Sequence, residues 1–138
     1  MKRLIAGRRR RAAASIEMAI VLPLFILIVL GIVEFGRALM VNQILVNAAR
    51  EGGRRAVIPG ATDAEVNGIV DGHMNSAGIT GFTRTLAVNG TVASLATAKS
   101  HDEITVSVSV NHNQVSWGIM NLIAPNRKFV GRVVIKKE

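Results

Sequence analysis

The sequence predicts a membrane-anchored α+β protein: a long N-terminal helix, transmembrane first and stalk afterwards, one short amphipathic helix, and a small antiparallel sheet of 3–4 strands. Three observations carry that expectation. Met18 to Val33 is an apolar run without a charge. Residues 62–78 carry the capping and spacing of a short helix, and beyond Gly81 the hydrophobic period changes from helical to alternating.

The apolar run is bracketed by Glu17 and Glu34. At ~1.5 Å per helical residue, the run and its neighbours reach roughly the ~30 Å of a bilayer's hydrocarbon core. A soluble core helix would show a polar face, and this stretch is apolar all round. A removable secretory signal is the competing reading. Against it stand the length of the run, Glu17 at its start and the lack of a small-x-small site before Arg37. Pro23 removes one backbone donor and should kink the membrane half.

The formal net charge of +8 is unevenly placed. Lys2, Arg3, Arg8, Arg9, Arg10 and Arg11 precede the apolar run, and the remainder is nearly balanced. Basic residues beside an apolar segment mark its cytoplasmic flank, so the N-terminus is expected inside and everything after about Arg37 outside. A nucleic-acid arm is the other use of such a run. With no aromatic platform or recognised binding motif beside it, nucleic acid is not expected as a partner. The chain has no cysteine, which excludes disulfides, thiolate metal sites and cysteine nucleophiles.

The helix should continue beyond the membrane, with Ala38, Val41, Leu45 and Ala48 on one side, and end at Gly52 and Gly53. Glu34 with Arg37, and Glu51 with Arg55, have the spacing of surface ion pairs. Thr62 and Glu65 form a capping box for a second helix from about Asp63 to Ser76, stopping at Gly78. Val66, Ile69, Val70, Met74 and Ala77 share its apolar face, and His73 lies at the edge as a partly covered structural residue. Strands are expected from Phe82 to Val88 and Thr91 to Ala96, joined at Asn89-Gly90, the pair that a tight hairpin turn favours. Ile104 to Val110 alternates, with Thr105, Ser107 and Ser109 on a solvated face, and Phe129 to Lys137 closes the sheet. Trp117 to Ile123 is expected as an apolar loop or short helix covering the sheet or meeting a neighbouring subunit.

Nothing converges on catalysis. His73, His101 and His112 are scattered, and His101-Asp102-Glu103 are sequence neighbours whose side chains diverge on a solvated turn. No phosphate loop, nucleophile elbow or zincin pattern is present, so no enzyme, metal, cofactor or small-molecule substrate is expected.

Glu17 needs a reason, because a carboxylate costs ~2.5–3.5 kcal/mol at the centre of a lipid-embedded helix and less near its rim. One reason is neutralisation by the arginines at headgroup level. The other is cleavage after Ala12, which would make Ala13 a new N-terminus one helical turn from Glu17. With its basic leader, small residue at the cut and glutamate as fifth residue after it, the chain resembles type IV pilin-like precursors. Where that group usually has glycine before the cut, this chain has Ala12. The passage from Ile16 to Val57, with Glu-Met-Ala-Ile-Val-Leu-Pro, GIVEFGR and NAAREG, is similar to the TadE-like family. Glu34, Gly36, Arg37, Asn47, Arg50, Glu51 and Gly52 match its motif in order.

The resemblance implies a minor pilin or pseudopilin of a Tad (Flp, type IV-like) pilus system, supporting adhesion or biofilm formation. It implies a prepilin peptidase acting between Ala12 and Ala13, and Glu17 pairing with the new amine during assembly. Its implied partners are membrane lipid, other pilin-like subunits and Tad assembly-platform proteins, at the bacterial cytoplasmic membrane. The expected organisation is a basic leader (1–12), transmembrane segment (13–35), helical stalk (36–55) and extracytoplasmic α+β head (56–138). A signal-anchored extracytoplasmic binding module unrelated to pili is the alternative from another class.

Overall fold

The computed structural model describes residues 2–115 and 127–137. The expected loop or helix at Trp117–Ile123 lies outside them.

Helix α1 runs from Lys2 to Ala56, 55 residues, with Pro23 inside it. From Ala14 to Val33 every residue is exposed, and α1 is long and apolar enough to cross a membrane. Its C-terminal part changes character: Val41, Leu45, Ala48, Ala49 and Ala56 are buried, with Ala38 half-covered. One continuous helix therefore supplies first a lipid-type surface and then a wall of the head.

Gly52 and Gly53 do not end the stalk, contrary to the sequence expectation; α1 passes through both. Both are buried, and their missing side chains explain why. A Cβ on Gly52 would meet Val70 Cγ2 at 2.8 Å, and one on Gly53 would meet Ile135 Cδ1 and Val133 Cγ1 at 2.8 Å. These glycines are seats for the second helix and the last strand, and the low helix propensity of glycine is overridden by packing. The chain turns only after Ala56, with Gly60 at φ +78.

Helix α2, Asp63–Ser76, has the boundaries expected from its capping box. The Thr62 hydroxyl accepts from the Glu65 N–H at 3.3 Å, and the Glu65 carboxylate accepts from the Thr62 N–H at 3.0 Å. Val66, Val70 and Met74 are buried, Ile69 is half-buried, and Ala77 is exposed. His73 is exposed rather than partly covered, because α2 presents only its Val66–Val70–Met74 stripe to α1 and the sheet.

Four antiparallel strands follow in the spatial order β2-β1-β3-β4, with β1 Thr83–Val88, β2 Thr91–Val92, β3 Glu103–Asn111 and β4 Lys128–Lys136. Asn89 and Gly90 both have positive φ, 52° and 79°, as the two central residues of a type I′ hairpin turn require. Strand β2 is shorter than the expected Thr91–Ala96. The chain leaves the sheet and winds into a 3₁₀ turn at Leu95–Thr97, where the Asp63 carboxylate accepts from the Leu95 N–H at 2.8 Å and Leu95 is buried. That cross-link to α2 replaces strand pairing.

Strand β3 is the centre of the sheet. Ile104, Val106, Val108 and Val110 are buried against α1 and α2. The opposite face is less solvated than expected: Thr105 is buried, and Ser107 and Ser109 are half-covered. Thr105 lies in register between Ala87 of β1 and Val134 of β4, whose side chains flank it. Strand β4 lies directly on α1. A Cβ on Gly131 would fall within 2.5 Å of the Val46 nitrogen and closer still to the Leu45 carbonyl group, so only glycine lets the strand approach the helix backbone this far.

Candidate assembly interface

The residues that match the TadE-like motif divide, in three dimensions, into groups with different surroundings. Glu17 follows Ala13 by four residues, about one turn of α1. Glu17 is exposed at the head of the apolar run. The proposed processing bond between Ala12 and Ala13 sits within the same helix.

Glu34 and Arg37 form a collar where the apolar run ends. Glu34 is buried, only 6% exposed, unusual for a carboxylate. It lines a cleft too narrow for a water molecule, with Arg37, Ala38, Val41, His112, Val115 and Phe129. The Arg37 Nε donates to the Val115 carbonyl, tying the stalk to the short helix α3, His112–Val115. The spacing of Glu34 and Arg37 predicts a surface position for both; Arg37 is exposed, while Glu34 is covered at the base of the head. His112 is buried, with its ring edge-on to Phe129 at 5.2 Å and 76°, and its backbone N–H donates to the Arg127 carbonyl at 2.8 Å. Sequence reasoning had left His112 among scattered histidines. Its position directly after a strongly alternating strand was the available signal that it faces the core.

Further along the stalk, Asn47, Arg50 and Glu51 are exposed on the outward side, while Gly52 faces inward. The expected pair of Glu51 with Arg55 is replaced by two others. Glu51 is near Arg54 at 3.8 Å, and Arg55 reaches across to Glu65 of α2 at 2.9 Å. Arg55 is drawn there because Glu65 is already held by the α2 cap. The Thr62 backbone N–H, and next the Arg55 guanidinium, keep the Glu65 carboxyl below its ordinary pKa.

The turn at His101-Asp102-Glu103 is structural. The Asp102 carboxylate accepts from Asn89 Nδ2 at 2.9 Å and from the Lys99 N–H at 2.7 Å, and these bonds lower its pKa. Backbone bonds from His101 to Lys137 and from Lys137 to Asp102 close the strand end. Among the described residues, no group of three or more His, Asp or Glu side chains converges to hold a metal ion.

No curated protein and no solved structure matches the chain. A family model described as TadE-like protein matches residues 12–54, which spans the proposed cut, the apolar run, the collar and the stalk. The match stops before the head's own elements begin, at Asp63. The similarity to the TadE-like family is thus carried by residues 12–54, all of which lie within helix α1.

Proposed function

We propose that the protein is a minor pilin or pseudopilin-like structural component of a Tad pilus assembly system, serving adhesion or biofilm formation. The basic leader stays cytoplasmic, α1 crosses the inner membrane, and the head lies outside. A prepilin peptidase removes residues 1–12, and the Ala13 ammonium then pairs with the Glu17 carboxylate, in this subunit or in a neighbour. The observation that carries the reading is the exposed Glu17 at the rim of the apolar run, the fifth residue after the candidate cut.

Electrostatics supports it. Two opposite unit charges 4 Å apart attract by about 4 kcal/mol at an effective dielectric constant near 20, comparable with the ~2.5–3.5 kcal/mol cost of a carboxylate in lipid. An amine created by cleavage therefore offsets the penalty of drawing Glu17 into the membrane. The head, whose core is shared with the stalk, presents the assembled subunit at the surface.

N-terminal sequencing of the membrane form, made where pili are produced, tests the processing step; a chain that still starts at Met1 removes it. Glu17→Ala tests assembly. Loss of pili with normal membrane insertion is expected. Unchanged pili, partner association and surface attachment would leave only a tethered binding head. Exchanging Ile16–Val33 for an unrelated apolar span separates the two readings further, since a tether survives the exchange and an assembly helix does not.

A further inference from the structure

The side of α1 that faces away from the head is patterned for another helix. Ile32, Gly36, Leu39, Gln43, Val46 and Arg50 follow one another at alternating steps of four and three residues, the 3.5-residue period of a two-stranded coiled coil. Most lie two positions before a head-facing residue: Leu39 before Val41, Gln43 before Leu45, Val46 before Ala48, Arg50 before Gly52. Two residues turn an α-helix by about 200°, so this seam points almost directly away from the core. Its own chain leaves most of it uncovered: Ile32 is 67% and Leu39 51% exposed, Gln43 and Arg50 are exposed, nothing lies near the Cβ position of Gly36, and only Val46 is half-covered.

We propose that this face pairs two copies of the chain in parallel, from within the membrane up to Arg50. The inference rests on reading α1 as a membrane anchor, which fixes both copies in the same sense. Parallel pairing brings residues five apart on the two helices side by side along the flanks of the seam. Here those flanks are Phe35 with Met40, both largely exposed and apolar, and Asn42 with Asn47. The polar part is self-complementary: a carboxamide both donates and accepts, so Asn42 bonds to Asn47 of the second copy and Gln43 to its equivalent. Between Ile32 and Val46 the seam carries no charge, and two identical faces do not repel. A groove of about 250 Å³ lined by Asn42, Gln43, Val46, Asn47 and Arg50 is the hole into which a facing side chain fits. Gly36 allows the backbones to approach where the pair leaves the membrane. Arg50 meets its own equivalent and ends the seam.

The chain contains no cysteine, so single cysteines report proximity without background. Leu39→Cys, Gln43→Cys and Val46→Cys are made in the full-length protein, with Glu51→Cys and Ser76→Cys as exposed controls off the seam. Each is oxidised in membranes of a host lacking other pilus proteins. The seam positions should give disulfide-linked dimers at roughly tenfold the control yield, a difference worth about 1.4 kcal/mol. Gln43→Arg, combined with Leu39→Cys, should remove the dimer, and Gln43→Asn should retain it. Equal yields at seam and control positions overturn the proposal, as does a linked product of any mass other than the dimer's. Because no pilus is needed for this readout, its failure is separate from failure of the Glu17 test.

Discussion

Gly131→Ala should damage the head more than any other single methyl group added to the described glycines. A Cβ there falls within 2.5 Å of the Val46 nitrogen and closer to the Leu45 carbonyl group. Ordinary contact begins near 3.4 Å, so β4 would have to lift from α1 by about 1 Å. The obstruction is helix backbone, which cannot rotate aside, and overpacking of this kind costs up to about 3 kcal/mol. Reduced freedom of the unfolded chain returns about 0.4–1 kcal/mol of that. The net loss reaches about 2–2.6 kcal/mol, or a roughly 30- to 80-fold rise in the opening equilibrium. Hydrogen exchange at β3 amides, in the full chain in detergent, reads this opening, because β3 lies between β1 and β4 at the centre of the sheet. Gly52→Ala is the internal comparison. Its new Cβ would press on side-chain methyl groups, Val70 Cγ2 at 2.8 Å with Val106 and Val66 at 3.4 and 3.5 Å, rather than on backbone, and alanine improves helix propensity by up to ~1 kcal/mol, so exchange should speed up much less than in Gly131→Ala. If Gly131→Ala exchanged as slowly as the unmodified protein, the close seating of β4 on α1 would be wrong.

Other outcomes follow from the same geometry. Thr62→Ala removes the α2 cap and should destabilise the head by about 1 kcal/mol, seen as faster exchange in α2 before β3. Thr105→Val should stabilise it by about 1 kcal/mol, because the buried Thr105 hydroxyl has no hydrogen-bond partner among the described residues. Glu65 and Asp102 have folded pKa values below their ordinary 4.5 and 3.8. Their contribution is therefore complete above those ordinary values and disappears as pH falls through the lowered ones. An acid titration of head stability should show this decline, and Glu65→Gln should make it shallower; a decline beginning near neutrality would point to other groups.

Where local chemistry decides, the fold was legible. The capping box set the start of α2 and Gly78 its end, Asn89-Gly90 set the hairpin, and alternation set β3, because each depends on residues a few positions apart. The errors arose where distant segments compete with local preference. Gly52 and Gly53 look like a helix stop until Val70, Val133 and Ile135 are brought against them. Strand β2 loses its second half to a bond from Leu95 to Asp63, 32 residues away. The candidate interface was legible as a list of motif residues, and its division was not. Glu34 turns inward because His112, Val115 and Phe129 build a cleft around it, and none of these is near it in sequence.

The sharing of α1 between lipid and head has a consequence for proteolysis. The exposed connection at Ile58, Pro59 and Gly60 invites a nick, yet cutting there would not shed a soluble product. Val41, Leu45, Ala48 and Ala49 lie on the membrane side of that cut and form the floor on which the downstream fragment rests. The two pieces should remain clasped together, and only denaturant would part them.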